Sequence, residues 1–105
     1  MLKVYGSKMC PDCRNCELNF NKYGIEYEYY DINESLKNLK KFLIYRDTKK
    51  EVFERLIKIH DIGIPCIVDE NENVFTDWES YLIKLGHKEL EYEEANSCSL
   101  DHKGC

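Results

Sequence analysis

Pro11 fixes where the first helix of this 105-residue chain begins. Proline has no N–H to donate and its φ is locked near the helical value, so it is favoured at the first helical position and costly further in. Cys10 then stands at the cap. Cys13, Cys16, Phe20 and Tyr23 follow at spacings of three, four and three, the apolar stripe of one α-helix, and Gly24 supplies its stop. Upstream, residues 2–5 read as a strand with Leu2 and Val4 on one face, and residues 6–9 as a loop.

The remainder continues the alternation. Residues 25–32 (IEYEYYDI) form an aromatic-rich second strand. Asn33 is placed to cap a helix whose face is Leu36, Leu39, Phe42 and Leu43. Residues 46–49 read as a break, and Val52, Phe53, Leu56, Ile57 and Ile59 mark a further helix up to His60. The turn Gly63-Ile64-Pro65 leads into a short buried strand over 66–68, a polar hairpin over 69–73 and a return strand at Val74-Phe75. Thr76-Asp77-Trp78-Glu79 reads as a capping box with Thr76 as the cap. Trp78, Tyr81, Leu82 and Leu85 form the inward stripe of the last helix, which Gly86 ends. The order β-α-β-α(α)-β-β-α predicts an α/β fold: a mixed four-stranded sheet flanked by helices. Its first two strands are parallel through a right-handed crossover, and its last two form a hairpin.

Charge narrows the function classes. The net charge is −5, and −3 of it falls from His87 onward. A general nucleic-acid binder needs a basic face, so none is expected here. Residues 1–86 are expected to form the domain, and residues 87–105 an acidic, solvated, mobile tail carrying Cys98 and Cys105. The first residues lack a signal-peptide core and no 18-residue apolar run is present, so the expectation is a cytoplasmic protein, monomeric and without a membrane partner. Six cysteines in a reducing compartment point to redox chemistry or metal rather than to a disulfide scaffold.

Cys10-Pro11-Asp12-Cys13 carries the chemistry. A redox dithiol needs one sulfur ionised near neutral pH and a second within reach of it. Cys10 at the helix start faces unpaired N–H groups and the positive end of the helix dipole, which favour a thiolate. Cys13 lies one turn on, placed to resolve a mixed disulfide. Lys8 and Arg14 are expected to favour the thiolate and Asp12 to oppose it, with the helix start dominant.

The C-P-D-C run, the GIPC turn and the Thr-Asp pair before the last helix together resemble the glutaredoxins of the thioredoxin-like fold, over residues 1–86. The likeness is closest to a bacterial group of glutaredoxin-related proteins with a C-P-D-C site and a long middle helical segment. The resemblance implies a thiol–disulfide oxidoreductase acting on protein disulfides or glutathione mixed disulfides, with glutathione as co-substrate and no tightly bound cofactor. It implies a cis bond between Ile64 and Pro65, with that loop against the dithiol. It also implies a substrate or glutathione site made by Lys8, Pro11, Ile64, Pro65, Thr76 and Asp77. The chain departs from the usual pattern in four places. Asp12 replaces an aromatic residue, Ser7 a basic one, and Val74-Phe75 a Gly-Gly pair, while the middle helical segment is longer.

Two alternatives share the Cys10/Cys13 pair: a small redoxin reduced by a thioredoxin reductase, and a cysteine-based metal-trafficking module. The Ile64-Pro65 turn and the Thr-Asp pair favour exchange over metal, and no metal site is expected. The accessory-thiol candidates are Cys16, Cys66, Cys98 and Cys105. Cys16 shares the stripe of Phe20 and is expected as a buried apolar thiol, and Cys66 as core packing in a short strand. Cys98, His102 and Cys105 offer only three soft ligands in the tail.

Overall fold

A computed structural model describes residues 1–93. In chain order it has β1 (Leu2–Gly6), α1 (Pro11–Lys22), β2 (Tyr27–Asp31), α2 (Leu36–Thr48), α3 (Lys50–Lys58), β3 (Cys66–Val68), β4 (Val74–Phe75) and α4 (Trp78–Lys84). The strands form one mixed sheet in the order β2-β1-β3-β4. β1 and β2 run parallel with Leu2 opposite Tyr27 and Val4 opposite Tyr29. β3 runs antiparallel to β1 and to β4.

Strand alternation divides the core into two layers. On one face Leu2, Val4 and Ile67 pack with Cys16 and Phe20 of α1 and with Trp78 and Leu82 of α4. On the other, Tyr5, Cys66 and Val68 pack with Phe42 and Tyr45 of α2 and Phe53 of α3. Phe20 and Phe53 are fully buried; truncating either to Ala costs about 3–5 kcal/mol.

Helix ends show where local chemistry decided the boundaries. α1 closes on Gly24 at φ +68°, where a side chain would be strained, and Ile25 N–H bonds the carbonyl of Phe20, five residues back, at 2.8 Å. β2 is shorter than the expected 25–32, because Ile25 belongs to this cap and Ile32 leaves the strand after bonding the Gly6 carbonyl at 2.8 Å. The cap of α2 is Ser35, whose Oγ accepts from Asn38 N–H at 3.2 Å. Asn33 is occupied elsewhere: its side chain accepts the Ser7 hydroxyl. The break between α2 and α3 is the single residue Lys49. The buried face of α2 is Leu39, Phe42 and Tyr45, whereas Leu36 and Leu43 point outward. The cap of α4 is Asp77 rather than Thr76. Its Oδ1 accepts from Ser80 N–H at 3.1 Å and its Oδ2 from the Ser80 hydroxyl at 2.8 Å, so the cap sits one residue later, with both bonds running to Asp77 instead of the reciprocal pair of a box.

Residues 87–93, the start of the acidic segment, lie along α1 with Lys88, Glu89, Glu91 and Tyr92 exposed. His87 stacks on Tyr23 with ring centroids 4.2 Å apart. Leu90 packs against the α1/α4 core. The side chain of buried Asn19 both donates to the Glu91 carbonyl at 2.7 Å and accepts from Glu91 N–H at 2.8 Å. Glu93 N–H donates to Asn15 Oδ1 at 2.8 Å, and its carboxylate pairs with Arg14. The amides of Asn15 and Asn19 hold the backbone of the segment, while Lys22 and Arg14 pair with Glu91 and Glu93. Among the described residues no helix is long and apolar enough to cross a membrane.

Candidate functional site

The site is built at the start of α1. Cys10 is its cap, in extended conformation, and its Sγ accepts from Cys13 N–H at 3.4 Å. The loop before it is tied down: Cys10 N–H bonds the Ser7 carbonyl at 3.1 Å, Met9 N–H bonds Ser7 Oγ at 3.1 Å, and the Ser7 hydroxyl bonds Asn33 beyond β2. Cys10 is half-exposed, and Cys13 is fully buried beneath it.

This arrangement makes the two sulfurs unequal. Cys10 is lowered from 9.0 to about 7, first by the Cys13 thiol that bonds it and then by the backbone N–H groups of Cys13 and Asp12. Burial and the Asp12 charge oppose the shift. Cys13 moves the other way, held far above the usual thiol range by its bond to Cys10 and by burial, with the Ser7 backbone N–H working against both. The helix start therefore contributes as the sequence suggests, but the partner thiol contributes most.

The neighbouring charges are each drawn into a pair. Lys8 Nζ pairs with Glu17 at 2.8 Å and lies over the Tyr29 ring, 4.3 Å from its centroid. Arg14 makes a bidentate pair with Glu93 and donates to the Lys8 carbonyl at 2.5 Å. Both cations pair with carboxylates, and Arg14 still acts favourably on the Cys10 and Cys13 thiolates, as expected of it. Asp12 accepts from Trp78 Nε1 at 3.1 Å, which joins the start of α1 to the start of α4. Its carboxyl lies above the usual Asp range because water is displaced from it and because Glu79, Asp61 and Asp77 are near, while the Trp78 bond pulls it down.

Beside Cys10 lies an apolar cleft of about 250 Å³, lined by Met9, Ile32, Ile62 and Ile64 together with Ser7 and Asn33. The Ile64–Pro65 bond is cis and Pro65 is fully buried. Pro11 is half-buried at the first position of α1. Thr76 is half-buried and Asp77 exposed at the start of α4, with both Asp77 oxygens already engaged by Ser80. Cys16 is fully buried against Phe20, and burial, with Asp12 and Glu17, raises it well above the usual thiol range. Cys66 is fully buried on the opposite face of the sheet, where burial pushes it up to about 12. Cys98 and Cys105 lie outside the described residues. Among the described residues no group of three or more His, Cys, Asp or Glu side chains is arranged to hold a metal ion.

Two residues of the site escape a motif search. Gly6, the last of β1, leaves room for the buried sulfur: a Cβ there would stand 2.9 Å from Cys13 Sγ and 2.8 Å from Tyr29 Oη. Tyr29, the middle residue of β2, is the other. The signal for it was the strand alternation, which puts Tyr27 and Tyr29 on the Leu2/Val4 face, under α1.

No family model matches the chain, and no solved structure matches it. A stretch of 74 residues, 70% of this chain, is 30% identical to an "Uncharacterized protein" of Haemophilus influenzae and spans 85% of that protein. At that identity and coverage, the chain belongs to the same family as the Haemophilus influenzae protein.

Proposed function

We propose that the protein is a glutaredoxin-like thiol–disulfide oxidoreductase of thioredoxin-like fold, with Cys10 as nucleophile and Cys13 as resolving thiol. The observation that carries this reading is the inequality of the two sulfurs: one half-exposed and lowered to about 7, the other buried and held as a thiol. An inert pair has no reason to differ in this way. The parallel β1-α1-β2 unit with the dithiol at the helix start, and the hairpin and final helix after the Ile64-Pro65 turn, support the fold assignment.

In the reaction, the Cys10 thiolate attacks one sulfur of a substrate disulfide. A Cys10–substrate disulfide forms and the other substrate sulfur leaves as a thiolate. Cys13 then loses its proton and attacks Cys10 Sγ. The second substrate sulfur leaves and takes up a proton, and two electrons have passed from the dithiol to the substrate. An external thiol, glutathione by the family resemblance, returns the Cys10–Cys13 disulfide to the dithiol. The apolar cleft suits the side chains that flank a disulfide in a protein substrate.

A second reading, a redoxin recharged by a thioredoxin reductase, is favoured by one specific observation. The cleft is lined by isoleucines and Met9, and the nearby Lys8 pairs with Glu17, so among the described residues no cation lines the cleft to meet the carboxylates of glutathione. The test is to assay disulfide reduction with each donor in wild type and two variants. Cys10→Ser abolishes turnover with either donor, and Cys13→Ser accumulates a mixed disulfide on Cys10. Turnover that survives in Cys10→Ser overturns the assignment. Turnover with the reductase alone replaces the first reading by the second.

A further inference from the structure

Tyr29 Oη is buried and has no hydrogen-bond partner among the described residues. Such a group is rare, because removing a hydroxyl from water without replacing its bonds is unfavourable. The register that pairs Tyr29 with Val4 sets its ring under α1, and Lys8 covers one face of that ring. The hydroxyl is aimed at the gap above Gly6, and the atom that shares this gap is Cys13 Sγ. The two stand 2.8 Å and 2.9 Å from the single point that a Gly6 Cβ would fill.

Resting on the dithiol reading above, we infer that Tyr29 Oη is a hydrogen-bond donor reserved for the Cys13 sulfur when that sulfur carries negative charge during exchange. In the reduced protein Cys13 is a thiol that gives its own proton to Cys10, so it makes little demand on a donor, and the phenol is idle. In the oxidised protein a thiolate reductant attacks Cys10 Sγ. A bond forms between the reductant sulfur and Cys10, the Cys10–Cys13 bond breaks, and the electron pair leaves on Cys13 Sγ. The Ser7 backbone N–H already favours charge on that buried sulfur and the Asp12 charge opposes it, while the Tyr29 hydroxyl faces the same gap above Gly6. Burial, with the charges of Cys13, Glu17, Asp31 and Cys10, keeps the phenol neutral and able to donate. The same bond assists the reverse step, in which Cys13 sheds its proton and attacks the mixed disulfide.

The test uses the full chain with Tyr29→Phe. The oxidised protein is mixed with dithiothreitol and the appearance of free thiol is followed in time. The reduced protein is alkylated at pH 7 with iodoacetamide, and thermal unfolding is recorded for both. Loss of one bond to a charged group predicts reduction slowed about tenfold, with Cys10 alkylation unchanged and the melting temperature equal or higher, because an unpaired buried hydroxyl has been removed. Reduction at the wild-type rate overturns the inference and leaves the dithiol reading standing. A lowered melting temperature with slower alkylation also overturns it, since that pattern belongs to a purely structural tyrosine. Failure of the wild type to form a Cys10–Cys13 disulfide that dithiothreitol reduces overturns the dithiol reading itself.

Discussion

At the scale of single residues, Asp12 sets the poise of the site. It sits between the two cysteines, gives Cys10 a backbone N–H, and opposes the same thiolate with its carboxylate. Asp12→Asn keeps an oxygen to accept from Trp78 Nε1 and removes the charge. The sign follows directly: the charge raises the Cys10 value, so its loss lowers it. The midpoint of the pH–rate profile for Cys10 alkylation is expected to move from about 7 downward by about half a unit, the size of a screened charge a few ångströms away. A midpoint that stays or rises shows that the carboxylate does not act on the sulfur through space. The run Cys10-Pro11-Asp12-Cys13 was legible because proline placement and a two-residue spacing are local properties. The pairing of Asp12 with Trp78, 66 positions away, is a product of packing that no local pattern contains.

At the scale of elements, α1 serves two surfaces at once. Its start carries the dithiol, and its Arg14, Asn15, Asn19 and Lys22 side chains hold residues 87–93. Asn19 is the central clasp, buried and bonded to both polar groups of the Glu91 backbone. Asn19→Ala leaves those groups unmatched and is expected to cost about 1–3 kcal/mol. Amide hydrogen exchange should rise at Glu91 and Glu93 more than in β1. Unchanged protection at Glu91 would show that His87, Leu90 and Arg14 hold the segment without the clasp. The elements themselves could be read from periodicity, since apolar residues recur every three or four positions in α1 and alternate in β1. Their ends could be read where one residue decides, as at Pro11 and Gly24. Reading failed where two polar residues compete for one role. Asn33 and Ser35 both make good caps, and only the fold gives Asn33 to Ser7. Thr76 and Asp77 stand side by side, and only the geometry of Ser80 chooses Asp77. The course of residues 87–93 along α1 was not legible either, because the groups that hold it, Asn15, Asn19 and Tyr23, lie more than 60 positions away in sequence.

At the scale of the whole molecule, the two sulfurs couple the fold to pH. Cys10 is lowered in the folded reduced protein to about 7 from 9.0, whereas Cys13, Cys16 and Cys66 are all raised. A group with a lowered value contributes stability that is present above its unfolded value and lost as pH falls through the folded one. The reduced protein is therefore expected to gain stability between about pH 7 and pH 9. Above that the raised thiols reverse the trend, since they ionise more readily once unfolded. Denaturation midpoints measured from pH 6 to 10 for wild type and Cys10→Ser should diverge only in the lower window, as serine keeps the helix cap but not the titration. Parallel curves there would mean that Cys10 titrates alike in both states. The docking of residues 87–93 has a consequence of another kind. Glu93 is held by Arg14 and Asn15, early in the helix that Cys10 caps. Arg14 also acts on the Cys10 thiolate. Lifting the segment off α1 removes the carboxylate that neutralises Arg14 and leaves more of its positive charge to the sulfur, so the reactivity of Cys10 reports whether the segment is seated.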